Sequence, residues 1–247
     1  MTWGFFSVTH ILSLVAAAGI IVGLYFALKR ASVAVQTVVL GVLSFSGIAA
    51  VIFNLVMWDS PLEYLPLHLC SVNALLLPIA VFSRNKVLSN LLLLWSLGAL
   101  AAIVVNSAQA DFVLFSDVFC FYFFPHVLEF GIPILLFKLG LVEKHPKYIL
   151  STMLITIVIY TGIHFANLAI NDYCMANEIL NPAGNIVQVN YMYSLVPENP
   201  LLALFYSWVP HSYWYMYLIF PIVLVYLAFT YLPQFLKLAK EKKLQKV

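Results

Sequence analysis

Residues 8–28 read VTHILSLVAAAGIIVGLYFAL and are followed at once by Lys29 and Arg30. A run of about 20 apolar residues is long enough to cross the hydrocarbon core of a bilayer as a helix. The first basic residues follow this run, which is the reverse of their order in a secretory signal peptide. Because basic residues stay on the cytoplasmic side, we expect an uncleaved first helix whose N-terminus lies outside.

The rest of the chain repeats this pattern of apolar runs and basic loops. Of its 247 residues, 64% are hydrophobic and 9% are charged, and its mean hydropathy is +0.99. This composition excludes a soluble protein. Seven membrane-spanning segments are predicted: Val8–Leu28, Val33–Val56, Leu62–Phe82, Val87–Val105, Asp117–Leu139, Tyr148–Ile170 and Ser212–Leu236.

The distribution of basic residues predicts how these segments are oriented. All twelve lysines and arginines lie in the C-terminal tail, in the loops after the first, third and fifth segments, or, for Lys138, at the loop end of the fifth segment. We therefore predict an all-α polytopic membrane protein, residues 1–247 forming one seven-helix domain, with the N-terminus outside and the C-terminus cytoplasmic. Residues 172–211 form a long extracytoplasmic loop and residues 237–247 a basic cytoplasmic tail. A loop of this length is typically a functional lid or binding element.

The sequence lacks the motifs that are typical of several functional classes. It contains neither a glycine-rich phosphate loop nor a basic, aromatic-rich patch for nucleic acid. Its three cysteines are too few for a disulfide framework, although a bridge from Cys174 to Cys70 or Cys120 stays open. Five of its six histidines fall at membrane depth, where an ionisable side chain usually faces a polar interior.

The third segment carries the densest polar cluster, around Cys70. Helical spacing places Asn73 on the same stripe as Cys70. His68 lies about 200° away around the helix, so a base for the Cys70 thiol should come from another helix.

The fifth segment offers that base in the sequence Phe124-Pro125-His126. Glu129 follows His126 at the i, i+3 spacing, so the two side chains can pair and fix the imidazole. The alternative is a proline kink with a structural His–Glu pair.

The sixth segment has a polar stripe on one face. Its members follow steps of three and four residues: Thr156, Tyr160, His164, Asn167 and Asn171. Such a stripe is typical of a hydrophilic cavity. The alternative is hydrogen bonding between helices.

Three short motifs together resemble a known family. Leu67-His68-Leu69-Cys70, Phe124-Pro125-His126 and Asn190-Tyr191-Met192-Tyr193 followed by Pro197 occur in the order seen in the YwaF-like bacterial membrane proteins, which are related to the eukaryotic transmembrane protein 164 acyltransferases. The resemblance extends from about Pro61 to Pro210. It implies seven helices and transfer of an acyl chain from a phospholipid to a lysophospholipid through a membrane cysteine.

The resemblance assigns roles to individual residues. Cys70 matches the nucleophile and His126 its partner, whereas His68 and Asn190-Tyr191-Met192 match motif positions of unassigned role. Many relatives are expected to have a basic residue soon after the Asn-Tyr-Met element. Here the run continues through Tyr193 to Glu198 without one, so the choice of headgroup is expected to differ.

These observations lead to one hypothesis and two alternatives. The hypothesis is a lipid acyltransferase of the bacterial cytoplasmic membrane, opening to the outer leaflet, with phospholipid and lysophospholipid as its partners and no cofactor or metal. Its catalytic residues are Cys70, His126 and Glu129, with Cys70 and His126 about 3–4 Å apart. The predicted substrate-binding residues are His68, Asn73, Tyr160, His164, Asn167, Asn190 and Tyr191. The alternatives are a transporter or binding subunit with a His/Asn-lined cavity, and a metal site built from His68, Cys70, His126 and His164.

Overall fold

The computed structural model describes residues 1–105 and 107–244, with the backbone alone for residues 242–244. This part of the chain is helical, and its only β pairing is two isolated bridges, Thr2 with Val113 and Leu180 with Ile186. Its α-helices are α1 (Val8–Leu28), α2 (Val33–Ser44), α3 (Ser46–Met57), α4 (Leu69–Ser83), α5 (Lys86–Val104), α6 (Asp117–Lys138), α7 (Ile149–Ala176), α8 (Pro200–Trp208) and α9 (Phe220–Leu244). The last three residues of the predicted basic tail lie outside the described residues.

Within the described residues, six segments are long and apolar enough to cross a membrane, which identifies an integral membrane protein. They are Val8–Leu28, Val33–Met57, Lys86–Val104, Asp117–Lys138, Pro146–Ala176 and Trp214–Glu241. The second comprises α2 and α3, which are separated at Phe45. Hydropathy alone does not reveal that break, because both halves are equally apolar.

The predicted third segment, Leu62–Phe82, is wrong at its outer end. Helix α4 begins only at Leu69, preceded by His68 in an extended conformation, and has 15 residues. Tyr191 from the long loop holds the preceding stretch, since its hydroxyl donates to the Leu62 carbonyl and accepts from the Leu65 amide at 3.2 Å. Backbone groups that a helix would have satisfied internally are therefore bonded to another part of the chain.

Helices α5 and α6 form the centre of the bundle. Over half of each segment is buried, 56% for α5 and 61% for α6, compared with 11% for α1 and for Pro146–Ala176. Large apolar side chains on the outer helices are exposed, as at Phe229 on α9, which is 76% exposed. An apolar surface on the outside of the bundle is what a surrounding bilayer requires.

The basic end of the bundle is joined by polar contacts. The Lys86 ammonium lies 2.8 Å from Glu143 Oε2, and its hydrogen bond and charge lower the pKa of the exposed Glu143 carboxylate. Asn90 donates to the Glu143 carbonyl at 3.3 Å and accepts from the Tyr231 hydroxyl at 2.5 Å. These bonds connect α5, the loop after α6, and α9.

The long loop is more ordered than the sequence suggests. Helix α7 continues to Ala176, past its predicted end at Ile170, and α8 lies within the predicted loop. Asn171 on the last turns of α7 exchanges two bonds with the Val189 backbone, at 2.7 and 3.0 Å. On α8, Leu202 and Phe205 are buried whereas Trp208 is exposed, so one face packs on the protein and the other is free to meet the headgroup layer.

Candidate functional site

His126 is held in a defined tautomer by its own helix. Its Nδ1 lies 2.6 Å from the Tyr122 carbonyl, and a carbonyl can only accept, so Nδ1 carries the proton. No residue in the described part of the chain bonds to the other nitrogen, Nε2, and the ring is buried. The Nδ1-protonated tautomer of an imidazole has its lone pair on Nε2, where it can act as a base.

The predicted hydrogen bond between Glu129 and His126 does not occur in the described structure. It lies within electrostatic range of His126 and of Cys70, and it is 3% exposed. Its Oε1 is close to α3, where a methyl group placed on Gly47 would lie 3.0 Å from it. The imidazole is instead fixed by a carbonyl one turn back along α6. The i, i+3 spacing thus brings the two groups near one another without pairing them.

Asn73 is the second buried polar group beside Glu129. Its side chain is 1% exposed and near enough to interact with the Glu129 carboxylate. Among the described residues, however, its amide nitrogen and oxygen have no hydrogen-bond partner, and neither has Glu129 Oε2. Buried polar atoms are nearly always bonded, so this pair marks a place where another polar group is expected to bind.

Cys70 lies near this polar cluster, on the first turn of α4. It is within electrostatic range of Glu129, Tyr122 and Tyr193. In the described parts of the chain no hydrogen bond joins Cys70 to His126. Catalytic hydrogen bonds often form only in the substrate complex, so direct contact between the thiol and the imidazole stays a prediction.

Tyr122 and Tyr193 were missed by the sequence analysis. Tyr122 is one turn before His126, and the two rings are tilted by 35° with their centroids 4.4 Å apart. Its hydroxyl donates to the Ala102 carbonyl at 3.0 Å. Tyr193 directly follows the Asn190-Tyr191-Met192 element. The i, i+4 spacing of Tyr122 and His126 was a usable signal, whereas nothing local to Tyr193 indicates that it approaches Cys70.

His68 connects α4 to the long loop. Its Nδ1 accepts the Met192 amide proton at 3.3 Å, and its ring centroid lies 5.2 Å from that of Tyr191 and 5.5 Å from that of Tyr193. The loop is strained here, because Met192 and Tyr193 have φ angles of +52° and +54°. Non-glycine residues occupy this region at a cost, and they concentrate at functional sites.

The polar stripe of α7 faces the protein, where it holds the loop. Asn167 is fully buried; it donates to the Tyr191 carbonyl at 2.8 Å and to Ser194 Oγ at 2.9 Å, and it accepts from the Tyr191 amide at 3.0 Å. His164 Nδ1 lies 3.1 Å from Ser194 Oγ. These bonds join α7 to the loop rather than to another helix, so they match neither the predicted cavity nor the alternative of hydrogen bonding between helices.

The remaining predicted residues on the stripe and in the loop are also bonded to protein. Tyr160 donates to the Tyr213 carbonyl at 2.9 Å. Asn190 bonds to the Val196 carbonyl at 2.8 Å and to Glu198 Oε1 at 2.7 Å. Tyr191 is 1% exposed. A direct role for any of them in substrate binding stays a prediction, because these polar groups already have intramolecular partners.

The cysteines and histidines form neither a disulfide nor a metal site in the described structure. Cys70, Cys120 and Cys174 are all free thiols, which answers the open question of a bridge to Cys174. Within residues 1–105 and 107–244, no three His, Cys, Asp or Glu side chains come together as metal ligands. The proposed set of His68, Cys70, His126 and His164 is therefore not assembled.

Comparison with protein families identifies the family to which the chain belongs. The TMEM164 family matches residues 5–232. This chain belongs to the TMEM164 family. The match covers every α-helix that contributes to the site and extends beyond the region of the sequence resemblance at both ends. It confirms the relationship to transmembrane protein 164, whereas the narrower YwaF-like assignment stays a prediction. No curated protein and no solved structure matches the chain.

Proposed function

We propose that this member of the TMEM164 family transfers a fatty acyl chain between phospholipids, with Cys70 as the carrier. One observation carries the proposal: Cys70 and His126 lie on adjoining helices within electrostatic range of the buried Glu129, and within the described residues neither His126 Nε2 nor Glu129 Oε2 has a hydrogen-bond partner. Family membership supports it, since the sequence resemblance associates transmembrane protein 164 with lipid acyl transfer.

The first half of the reaction acylates the enzyme. His126 Nε2 takes the proton of the Cys70 thiol, and the thiolate attacks the ester carbonyl of a donor phospholipid. The tetrahedral intermediate then expels the lysophospholipid alkoxide, which receives the proton back from His126. A thioester on Cys70 has replaced the ester, and no proton is gained or lost.

The second half returns the acyl chain to a hydroxyl group. His126 deprotonates the hydroxyl of an acceptor lysophospholipid, which attacks the thioester and expels the Cys70 thiolate. The thiolate recovers the proton from His126. Asn73, one turn after Cys70 on α4, is proposed to donate its unpartnered amide hydrogen to the oxyanion in both halves.

The placement of the protein in the membrane is part of the proposal. Helix α4 serves as the third of seven crossings, with residues 58–68 completing it at the outer end. The N-terminus lies outside, and the basic loops and tail face the cytoplasm of a bacterial cell. Cys70, on the first turn of α4, then opens toward the outer leaflet, and the loop containing Tyr191–Tyr193 covers it.

Acylation of Cys70 can be tested by intact-mass spectrometry of the full chain in nanodiscs that contain a mixture of phosphatidylcholine, phosphatidylethanolamine and phosphatidylglycerol. The wild type is expected to acquire one acyl adduct that neutral hydroxylamine removes, as it does a thioester. Cys70→Ala should lose the adduct. Cys120→Ser and Cys174→Ser are matched controls that should keep it. His126→Gln should slow acylation by about 10²–10⁴-fold, the usual contribution of a general base. An adduct that persists in Cys70→Ala, or its failure to form in the wild type, would refute the proposal.

A further inference from the structure

Glu129 takes no part in the proton transfers between Cys70 and His126, although it lies within electrostatic range of both. Its side chain is 3% exposed, and its Oε2 has no hydrogen-bond partner among the described residues. The same is true of both polar atoms of Asn73, which is 1% exposed. Buried polar atoms are nearly always bonded, so these two side chains form a site for a polar group of the substrate.

The four side chains of the site form two layers across α4 and α6. Cys70 and Asn73 are three residues apart on α4, and His126 and Glu129 are three apart on α6. Each pair therefore lies on one helix face, with a rise of roughly 4.5 Å between its members. The two helices run in the same direction, because α5 alone crosses the bundle between them. The reacting groups thus form one layer, and the unpartnered groups form the next layer, one turn further along.

The Glu129 carboxyl group is confined between α3 and α4. A methyl group placed on Gly47 of α3 would lie 3.0 Å from Glu129 Oε1 and 2.6 Å from Ala74 Cβ. Ala74 directly follows Asn73 on α4. The absence of a side chain at Gly47 therefore leaves just enough space for the carboxyl group on the side of the bundle where Asn73 lies.

The surroundings of Glu129 favour its neutral, protonated form. Within the described structure no lysine or arginine forms an ion pair with it. The titratable groups in electrostatic range are Cys70 of α4 and His126 and Tyr122 of α6, and α3 has none. An unpaired carboxylate at membrane depth is costly. It would also repel the Cys70 thiolate and the negative charge of the tetrahedral intermediate.

A neutral carboxyl group has a hydrogen to donate, whereas a carboxylate can only accept. We propose that Glu129 keeps its proton and donates a hydrogen bond to the oxyanion of the tetrahedral intermediate, as the second donor beside Asn73. This inference rests on the proposed function. As the bond from sulfur to the carbonyl carbon forms, the carbonyl π electrons move to the oxygen, where both donors meet them. When the carbonyl forms again, the proton is still on Glu129. Donors that are fixed before the reaction stabilise such developing charge most strongly.

The donor role can be tested by timing acylation of Cys70 in the same mixed-lipid nanodiscs. Glu129→Leu removes the donor and should slow acylation by about 10²–10³-fold, the usual effect of losing one oxyanion donor. Glu129→Gln retains an N–H donor and should restore the rate to within about tenfold of wild type. Gln36→Leu is the matched control, because this buried side chain also has an unpartnered oxygen but bonds to the Leu28 carbonyl at the other end of the bundle. It should react at the wild-type rate.

Thermal unfolding separates this role from packing. Glu129→Leu replaces a buried, unpartnered polar group with an apolar one, so its unfolding midpoint should equal or exceed that of wild type while its acylation rate falls. A midpoint lowered in both Glu129→Leu and Glu129→Gln, in parallel with their rates, would assign Glu129 to packing and overturn the proposal.

The charge on Glu129 can be measured without catalysis. The full chain is placed in nanodiscs of a diether phosphatidylcholine, which has no ester to attack, and N-ethylmaleimide labelling of Cys70 is followed at pH 7 by peptide mass spectrometry. Glu129→Gln should label within about twofold of the wild-type rate, because neither side chain is charged. Labelling that is faster by about tenfold or more would show that the wild-type carboxylate suppresses the thiolate, and it would overturn the proposal.

The outcomes separate this inference from the proposed function. A wild type that forms no adduct in ester lipids would refute acylation of Cys70, and the oxyanion with it. An adduct that Cys70→Ala loses, combined with equal slowing in Glu129→Gln and Glu129→Leu, would refute Glu129 as a donor and leave the acyltransferase standing. A wild-type rate in Glu129→Leu would have the same meaning.

Discussion

Asn167→Ala should detach the long loop from α7. In the wild type this buried amide makes three hydrogen bonds, two to the Tyr191 backbone and one to Ser194 Oγ. Each bond contributes about 1 kcal/mol net, so the substitution destabilises the closed loop by about 3 kcal/mol relative to the open loop. Since 1.4 kcal/mol is a factor of ten, the open population should rise roughly 100-fold. Once the loop opens, the strained Met192–Tyr193 turn is expected to relax, because the surrounding contacts no longer hold it.

The assay is hydrogen–deuterium exchange of the nanodisc-bound protein. Protection of the Tyr191 and Ser194 amides should fall by about 100-fold, whereas amides at the centre of α5 should keep their protection. Asn177→Ala is the matched control, because the side chain of this exposed asparagine near the end of α7 donates to the Tyr173 carbonyl of its own helix. Unchanged protection at residues 189–194 in Asn167→Ala would refute the reasoning. So would an equal loss in Asn177→Ala.

Two further predictions concern packing and orientation. Gly47→Ala should lower the free energy of unfolding by about 1–3 kcal/mol, because the new methyl would lie 2.6 Å from Ala74 Cβ and 3.0 Å from Glu129 Oε1. Thermal unfolding in nanodiscs measures this loss. An unchanged midpoint would mean that α3 can move away. A cysteine introduced at the exposed Asn185 should react with a membrane-impermeant thiol reagent in intact cells, whereas one at the exposed Lys147 should react only after lysis; the reverse pattern would invert the proposed orientation.

The helices of the bundle were largely predictable, because apolar length is a strong signal. Helix α1 has the predicted bounds, and α6 ends one residue before its predicted end at Leu139. The largest error at a helix end occurs where tertiary contacts replace helical bonds. At the outer end of α4 the Tyr191 hydroxyl takes over backbone groups of Leu62 and Leu65. No local pattern in residues 61–68 could reveal a partner more than 120 positions away.

Sequence spacing predicted which of these side chains are neighbours, but not the hydrogen bonds that they form. Cys70, His126 and Glu129 do come near one another, as the electrostatic contacts of Glu129 show. The expected pairing of His126 with Glu129 is replaced by a bond from Nδ1 to the Tyr122 carbonyl. A carbonyl one turn back is always within reach of a helical side chain, and it competes with any charged partner. Sequence spacing reports which groups are neighbours, and it does not decide which of them bond.

The polar residues at membrane depth divide into two groups with different tasks. The polar side chains of α7 form hydrogen bonds with the long loop. On the opposite side of the loop, His68 accepts a hydrogen bond from the Met192 amide. The turn between these anchors contains two residues with positive φ, each costing about 1–3 kcal/mol, and the anchoring bonds offset that cost. By contrast, Asn73 and Glu129 keep buried atoms that have no hydrogen-bond partner among the described residues. The first group therefore holds Tyr193 near Cys70, and in the proposed mechanism the second group meets the reacting lipid. Loss of an anchor should loosen the cover over the site, whereas loss of Asn73 should slow the chemistry while the loop stays in place.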